Sequence, residues 1–213
     1  MKHFLRFALF LSLAFSACKK DLKDHTLPTS SSNTYIPMTQ GSYWLYDCYV
    51  VDSTGTSTFM HITDSVYIDG ITVFGTDTFY VQHGTSFGSF SSPIAYLRDS
   101  SGYLINPAHR VLFSQTNFTD TLLTWNSSSG DETGYIKMTE IGDTITVPAG
   151  TFITMNAKYI VINNVGTWPC LGTIDPHDNQ YAKGVGKVRS TLQYVGDPSC
   201  KRYEQRLRTY FIQ

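Results

Sequence analysis

Charge is scarce in this chain. Its 16 Lys and Arg and 17 Asp and Glu make up 15% of 213 residues, against about 25% in an average soluble domain. The formal net charge of −1 supplies no field to gather nucleic acid or an anionic surface, and no basic patch stands out, so a nucleic-acid partner is not expected. No apolar run approaches the roughly 20 residues that carry a helix across a bilayer. Heptads, internal repeats and a sustained helical period are also missing, which argues against a coiled coil, a solenoid or a helical bundle. The shortage of charge does not mean disorder, because 41% of residues are apolar. The length fits one domain with or without a tail.

The chain is rich in residues that fit a pleated, half-buried surface: 30 aromatics (14 Tyr, 13 Phe and 3 Trp) and 26 Thr. Alternation broken by turn chemistry recurs along it. Tyr43–Val51 reads as a strand closed by Asp52-Ser53-Thr54-Gly55. Thr58–Asp69 alternates Met60, Ile62, Val66 and Ile68 against His61, Thr63 and Ser65, and Asp69-Gly70 is a two-residue hairpin signal leading into Ile71–Phe74 and Thr76–His83. Tyr96–Asp99 and Tyr103–Ile105 flank the turn Ser100-Ser101-Gly102. Further strands are expected at Val111–Phe118, Tyr135–Ile141, Asp143–Val147, Thr151–Val165, Lys187–Val195 and Arg202–Ile212, with partial helix conceivable only within Val111–Trp125. Short strands at this spacing predict an all-β domain over residues 36–213, an antiparallel half-barrel or barrel-like sheet, with a β-sandwich as the alternative.

The N-terminus carries an address. Lys2 and Arg6 precede an apolar run of nine residues, Phe7 to Phe15, followed by small residues, so residues 1–17 read as a secretory signal. Phe15-Ser16-Ala17-Cys18 resembles the lipobox of bacterial lipoproteins, which implies a thioether-linked lipid on Cys18 and cleavage before it. Residues 18–35 lack any apolar period and are expected to form a disordered tether. Several acyl chains hold far more firmly than one, at about 0.8 kcal/mol for each buried CH₂.

Three segments form a wider resemblance: Gly41-Ser42-Tyr43-Trp44-Leu45-Tyr46, Val147-Pro148-Ala149-Gly150-Thr151-Phe152, and Tyr181-Ala182-Lys183-Gly184-Val185-Gly186-Lys187-Val188. Their order and spacing resemble a group of uncharacterised Bacteroidota lipoproteins with the pattern G-x-x-W-x-Y … VPAGTF … YAKGVGxV. That resemblance implies an all-β half-barrel in the cell envelope, at the outer membrane. Some similar proteins carry lipids or lipoproteins. It implies no reaction. Read from the residues alone, Pro148-Ala149-Gly150 is a corner between strands, because Pro lacks a ladder N–H and Gly is free in φ. Gly184-Val185-Gly186 is a turn and bulge rather than a phosphate cradle, since a strand follows it and Arg189 stands where a third glycine is required.

Catalytic patterns are present only in outline. Gly84-Thr85-Ser86-Phe87-Gly88 matches the nucleophile elbow G-x-S-x-G, with Asp99 and His109 downstream in the right order. Ser89-Phe90-Ser91-Ser92-Pro93 cannot supply the helix that must follow the serine, so a loop is expected and no catalytic residue is assigned. Asp175-Pro176-His177-Asp178-Asn179 imitates a calcium loop, but Gln180 replaces the required glycine and no Glu closes it, so neither a metal nor a cofactor is expected. His61 and His83 lie on strands as partly exposed neighbours. Gly166 to Gln180 reads as a loop of about 15 residues, long enough for function. There Trp168 could stack on a sugar while Asp175, His177 and Asn179 hydrogen-bond it, or the loop could cap the barrel. Of the exported cysteines, Cys170 and Cys200 sit in or beside loops and are the preferred disulfide, leaving Cys48 free in mid-strand. A simple meander opposes that pairing, because one strand would hold the two loops about 30 Å apart.

The function expected from the sequence is therefore a lipid-anchored, non-catalytic envelope domain that binds an apolar ligand or a glycan. A structural or interaction subunit of an outer-membrane assembly, held by an envelope protein partner, is the alternative. In either case the membrane contact is the lipid on Cys18. The processing step is directly testable. In detergent-phase partitioning, the wild-type chain should enter the detergent phase with residues 1–17 missing from its intact mass, whereas Cys18→Ser should stay aqueous. Two aqueous proteins would refute the lipoprotein reading.

Overall fold

Turn residues cut the alternating sequence into strands, and the strands pair with their sequence neighbours. The structure, a computed structural model, describes residues 34–85, 87, 93–164, 177–193 and 198–213. Twelve strands and no helix occur among them: β1 (Tyr43–Val51), β2 (Ser57–Phe74), β3 (Asp77–Gly84), β4 (Ile94–Ser100), β5 (Tyr103–Ile105), β6 (Val111–Ser114), β7 (Thr121–Asn126), β8 (Glu132–Val147), β9 (Gly150–Asn163), β10 (Asn179–Ala182), β11 (Gly186–Gln193) and β12 (Arg202–Phe211).

All twelve lie in one antiparallel sheet with the order β6-β5-β4-β3-β2-β1-β12-β11-β10-β9-β8-β7. That order is a meander bent round on itself. Pairing of β1 with β12 joins the two ends of the domain, and the sheet stops short of closure only where β6 meets β7. The expected barrel-like sheet is what forms, rather than a sandwich.

The interior holds two apolar clusters. One gathers Trp44, Tyr46, Ile68, Val147, Ala182, Val185, Val188 and Leu207, with Ala149 and Phe152 packed against it. All three recurring sequence segments therefore meet in a single cluster. The indole N–H of Trp44 donates to the Val185 carbonyl at 2.6 Å, and the Tyr46 hydroxyl donates to the Lys187 carbonyl at 2.9 Å. Gly186 lies between those acceptors at φ +92°, where a Cβ would meet Pro37 Cδ at 3.4 Å and Trp44 Nε1 at 3.5 Å. A side chain there would be strained and would crowd the indole. Pro148 and Ala149 form the predicted corner between β8 and β9, and the Ala149 N–H donates to the Leu207 carbonyl at 2.9 Å, folding the hairpin tip onto β12.

The second cluster joins Ile36, Leu97, Leu104, Phe113, Ile136, Met138, Ala157 and Tyr181. Ile36 belongs to the segment before β1, which enters the barrel instead of trailing from it. Thr34 and Tyr35, read from the sequence as the end of the tether, are held as well. The Gly184 N–H donates to the Thr34 carbonyl at 2.8 Å, and the Tyr35 ring lies 6.0 Å from that of Phe113.

Four expectations need correction. Asp69-Gly70 is not a turn: β2 runs through it to Phe74, absorbing one residue as a bulge between Ile68 and Gly70, and the reversal falls at Gly75-Thr76. Tyr135–Ile141 and Asp143–Val147 are one strand, interrupted by a bulge over Glu140–Gly142 where Glu140 and Gly142 take positive φ. Val111–Phe118 ends at Ser114, and Thr121–Asn126 is a separate strand with no helical content. Finally, Asn179–Ala182 is a strand rather than the end of a long loop. This fourth difference removes the objection to the disulfide. With both β10 and β11 in place, the chain leaves β9 and enters β10 at the same end of the sheet where β11 gives way to β12.

One packing contact is exposed to a simple test. Trp125 pairs across strands with Gly134, and its ring occupies the space a Cβ on Gly134 would need. Gly134→Val should displace the ring from Tyr159 and cost about 1–3 kcal/mol in urea unfolding. Adding Trp125→Ala should cost less than the sum of the single changes, because both act on one contact. Unchanged stability of Gly134→Val would show that the ring is not held there.

Candidate functional site

Inward-facing residues of β1–β6 and β9–β12 leave an unfilled space between them and the segment 35–38. The cavity has a volume of about 320 Å³, at the small end of ligand pockets, which run from roughly 300 to 1,000 Å³. Ile36, Pro37, Met38, Trp44, Val66, Ile68, Ala95, Leu97, Leu104 and Leu112 give it apolar walls. Gln82, Asn179, Gln205, Lys187 and the phenols of Tyr46, Tyr159 and Tyr181 add polar points.

Among the described residues, Lys187 is the one charged side chain in this wall. It points inward because of a bulge. Gln180 pairs with Arg189, but Tyr181 pairs with Lys187, so Val188 is an extra residue on β11. Directly opposed residues share a face, so the shift places Lys187 beside Tyr181 in the interior. Unshifted, Ala182 would face Lys187, on the side of Gln180. Among the described residues, no hydrogen bond or ion pair engages the Lys187 ammonium or the Tyr181 hydroxyl. Desolvation pushes the Lys187 pKa down to about 8. Burial raises the pKa of Tyr46, Tyr159 and Tyr181, so these phenols remain protonated donors.

A polar network backs the cavity at Gln205. The Cys48 thiol donates to Asp64 at 3.1 Å, Gln205 Nε2 donates to the same carboxylate oxygen at 2.6 Å, and the Ser190 hydroxyl donates to Gln205 Oε1 at 2.8 Å. Cys48 is fully buried, and burial together with Asp64 raises its pKa well above the ordinary thiol range. It is a hydrogen-bond donor, not a nucleophile.

The residues singled out by sequence fall elsewhere. Cys18, Ser86, Trp168, Cys170 and Asp175 lie outside the described residues. His177 is half-buried, its carbonyl accepts the Tyr159 N–H at 2.8 Å, and its Nε2 lies 3.4 Å from the Gln193 carbonyl. Burial lowers its pKa against the opposing influence of the Gln193 contact and Asp178. Among the described loop candidates, Asn179 reaches the cavity and His177 does not, and Asn179 does so from β10. Asp99 accepts the Gly102 N–H at 2.7 Å, and His109 sits exposed at φ +55° in the turn before β6; no hydrogen bond or ion pair joins them. His83 stacks on Tyr67 at 5.2 Å and meets Asp69 at 3.3 Å, while His61 occupies an exposed bulge in β2 at φ +58°. Cys200 is disulfide-bonded and Cys48 is free.

Sequence reasoning missed Lys187, Tyr181 and the Asp64 network. Asp64 shares the parity of Ile62 and Val66, which was the available sign that it faces inward. No comparable sign existed for Lys187, whose direction depends on the bulge.

No protein-family model matches the chain, and no curated protein matches it. Two crystal structures resemble it. One is a Bacteroides fragilis protein designated as exported with a YmcC-like fold, 16% identical over 84% of this chain and 99% of its own, with a TM-score of 0.46. The other is a Parabacteroides distasonis protein designated as a lipoprotein, 13% identical over 84% and 99%, with a TM-score of 0.38. Neither likeness bears on function.

An uncompensated ammonium in this wall has a measurable cost. Below pH 8 Lys187 is charged in both states, and the folded state bears the desolvation penalty. Between about 8 and the ordinary 10.5 the unfolded chain binds more protons, so stability rises with pH through that window. Lys187→Met should therefore stabilise the protein at pH 7 by about 1–3 kcal/mol, less than the full shift because the lysine is only half-buried. The gain should shrink as the pH climbs from 8 towards 10.5. Destabilisation at pH 7 in denaturant unfolding would mean that the lysine has a partner.

Proposed function

We propose that this protein is a lipid-anchored, non-catalytic domain of the cell envelope, held at the outer membrane through Cys18, whose barrel interior binds an apolar ligand. The cavity carries this reading. Residues of ten strands and the segment 35–38 line it, with aliphatic and aromatic side chains from seven of those strands, so it is the centre of the fold rather than a surface dent. A core evolved only for stability would be filled, because unfilled apolar volume costs stability. The signal, the cysteine after it and the tether supply the location. A glycan on the 166–180 loop is less well supported, since His177 and Asn179 are engaged in sheet pairing.

A second reading, an interaction subunit, draws on the outward-facing Ile71, Val73 and Ile153, exposed at 63%, 61% and 66%. They lie on two different hairpins.

Fluorescence of the neutral probe N-phenyl-1-naphthylamine tests the leading reading. The dye should bind the full chain saturably at one site. Ala95→Phe, which puts a ring into the cavity from β4, should weaken that binding at least tenfold while the protein stays folded. Absence of saturable binding, or equal affinity in the variant, would exclude the interior as the site.

A further inference from the structure

The apolar wall does not explain why a lysine is turned into it. A half-buried ammonium held in an apolar wall without a counter-ion is retained at a cost in stability, and methionine would fill the same position without that cost. Burying a charge becomes tolerable when an opposite charge arrives to pair with it. Among the described residues no group is placed to do this. Among the residues lining the cavity there is no carboxylate, and the nearest polar neighbour on the paired strand is Tyr181, also a donor. Asp64 is taken up by Cys48 and Gln205, the latter standing between it and the cavity. The wall therefore presents two adjacent unengaged donors, one of them cationic, at the edge of an aliphatic space.

We propose that the ligand is a single-chain amphiphile with a carboxylate head, a fatty acid, whose headgroup pairs with Lys187 and accepts from the Tyr181 hydroxyl while its chain fills the space bounded by Ile68, Leu97 and Leu104. A cavity of about 320 Å³ suits one chain and not a diacyl lipid. The proposal rests on the apolar-ligand reading above and adds to it the charge of the head.

Displacement of N-phenyl-1-naphthylamine separates the two claims. The protein is the full chain carrying Cys18→Ser, so that no attached acyl chain competes for the cavity. Dodecanoate and dodecan-1-ol have the same chain and differ in the head. Dodecanoate should displace the dye at a concentration at least tenfold below that of dodecan-1-ol. Lys187→Met should abolish that preference, each displacement being read against the dye affinity measured in the same variant. Tyr181→Phe should reduce the preference without removing it. Equal displacement by the two compounds in the chain that retains Lys187, or a preference that survives Lys187→Met, would overturn the carboxylate proposal and leave the apolar site standing. Failure of the dye to bind at all would remove both.

Discussion

The hydrogen bond from the Trp44 indole to the Val185 carbonyl sets the geometry on which the rest of the interior depends. It joins β1 to the turn before β11, across the intervening β12, over a separation of 141 residues. The Tyr46 hydroxyl repeats the device two residues later, on the carbonyl of Lys187. The acceptors are the last residue of the turn and the second residue of β11, where the chain faces an apolar interior, and an unsatisfied buried carbonyl costs about 1–3 kcal/mol. The two side chains remove that cost and place the turn. Gly186 is required at that spot because its φ is positive and the indole and Pro37 close over it. The G-x-x-W-x-Y and YAKGVGxV segments are thus two halves of one contact. The VPAGTF segment completes it from outside the pair, bringing Val147, Ala149 and Phe152 into the same cluster.

What this arrangement leaves open matters as much as what it fills. The turn feeds directly into β11, and the bulge at Val188 rotates the preceding lysine into the space beneath the 35–38 segment. One local irregularity therefore links the motif that holds the barrel together to the residue that gives the cavity its charge. The segment 35–38 reaches the same space from the N-terminal side of β1.

Much of the fold could be read along the chain. Tyr43–Val51 and Tyr103–Ile105 were legible to the residue, because alternation and flanking turn residues agree there. The Pro148-Ala149 corner was legible for the same reason. Elsewhere local signals competed. Asp69-Gly70 is a better two-residue turn than Gly75-Thr76 by composition, yet β2 continues through it, since the pairing of Ile71–Phe74 with β3 outweighs a local preference. Thr121–Asn126 and Asn179–Ala182 are short and lack clear alternation, so only their partners β8, β9 and β11 identify them as strands.

The candidate site divides along the same line. Residue order by itself determined the class of fold and most of its strands, because these depend on local periodicity and on short contiguous signals. Tertiary structure decided that β1 and β12 would meet to make a barrel, that an interior space would remain, and that Lys187 and Tyr181 would face it together. The physical reason is the bulge. Alternation has a period of two, and one extra residue on β11 reverses its phase for everything before it, a change that costs nothing visible in composition and is settled only by what β10 and the core require.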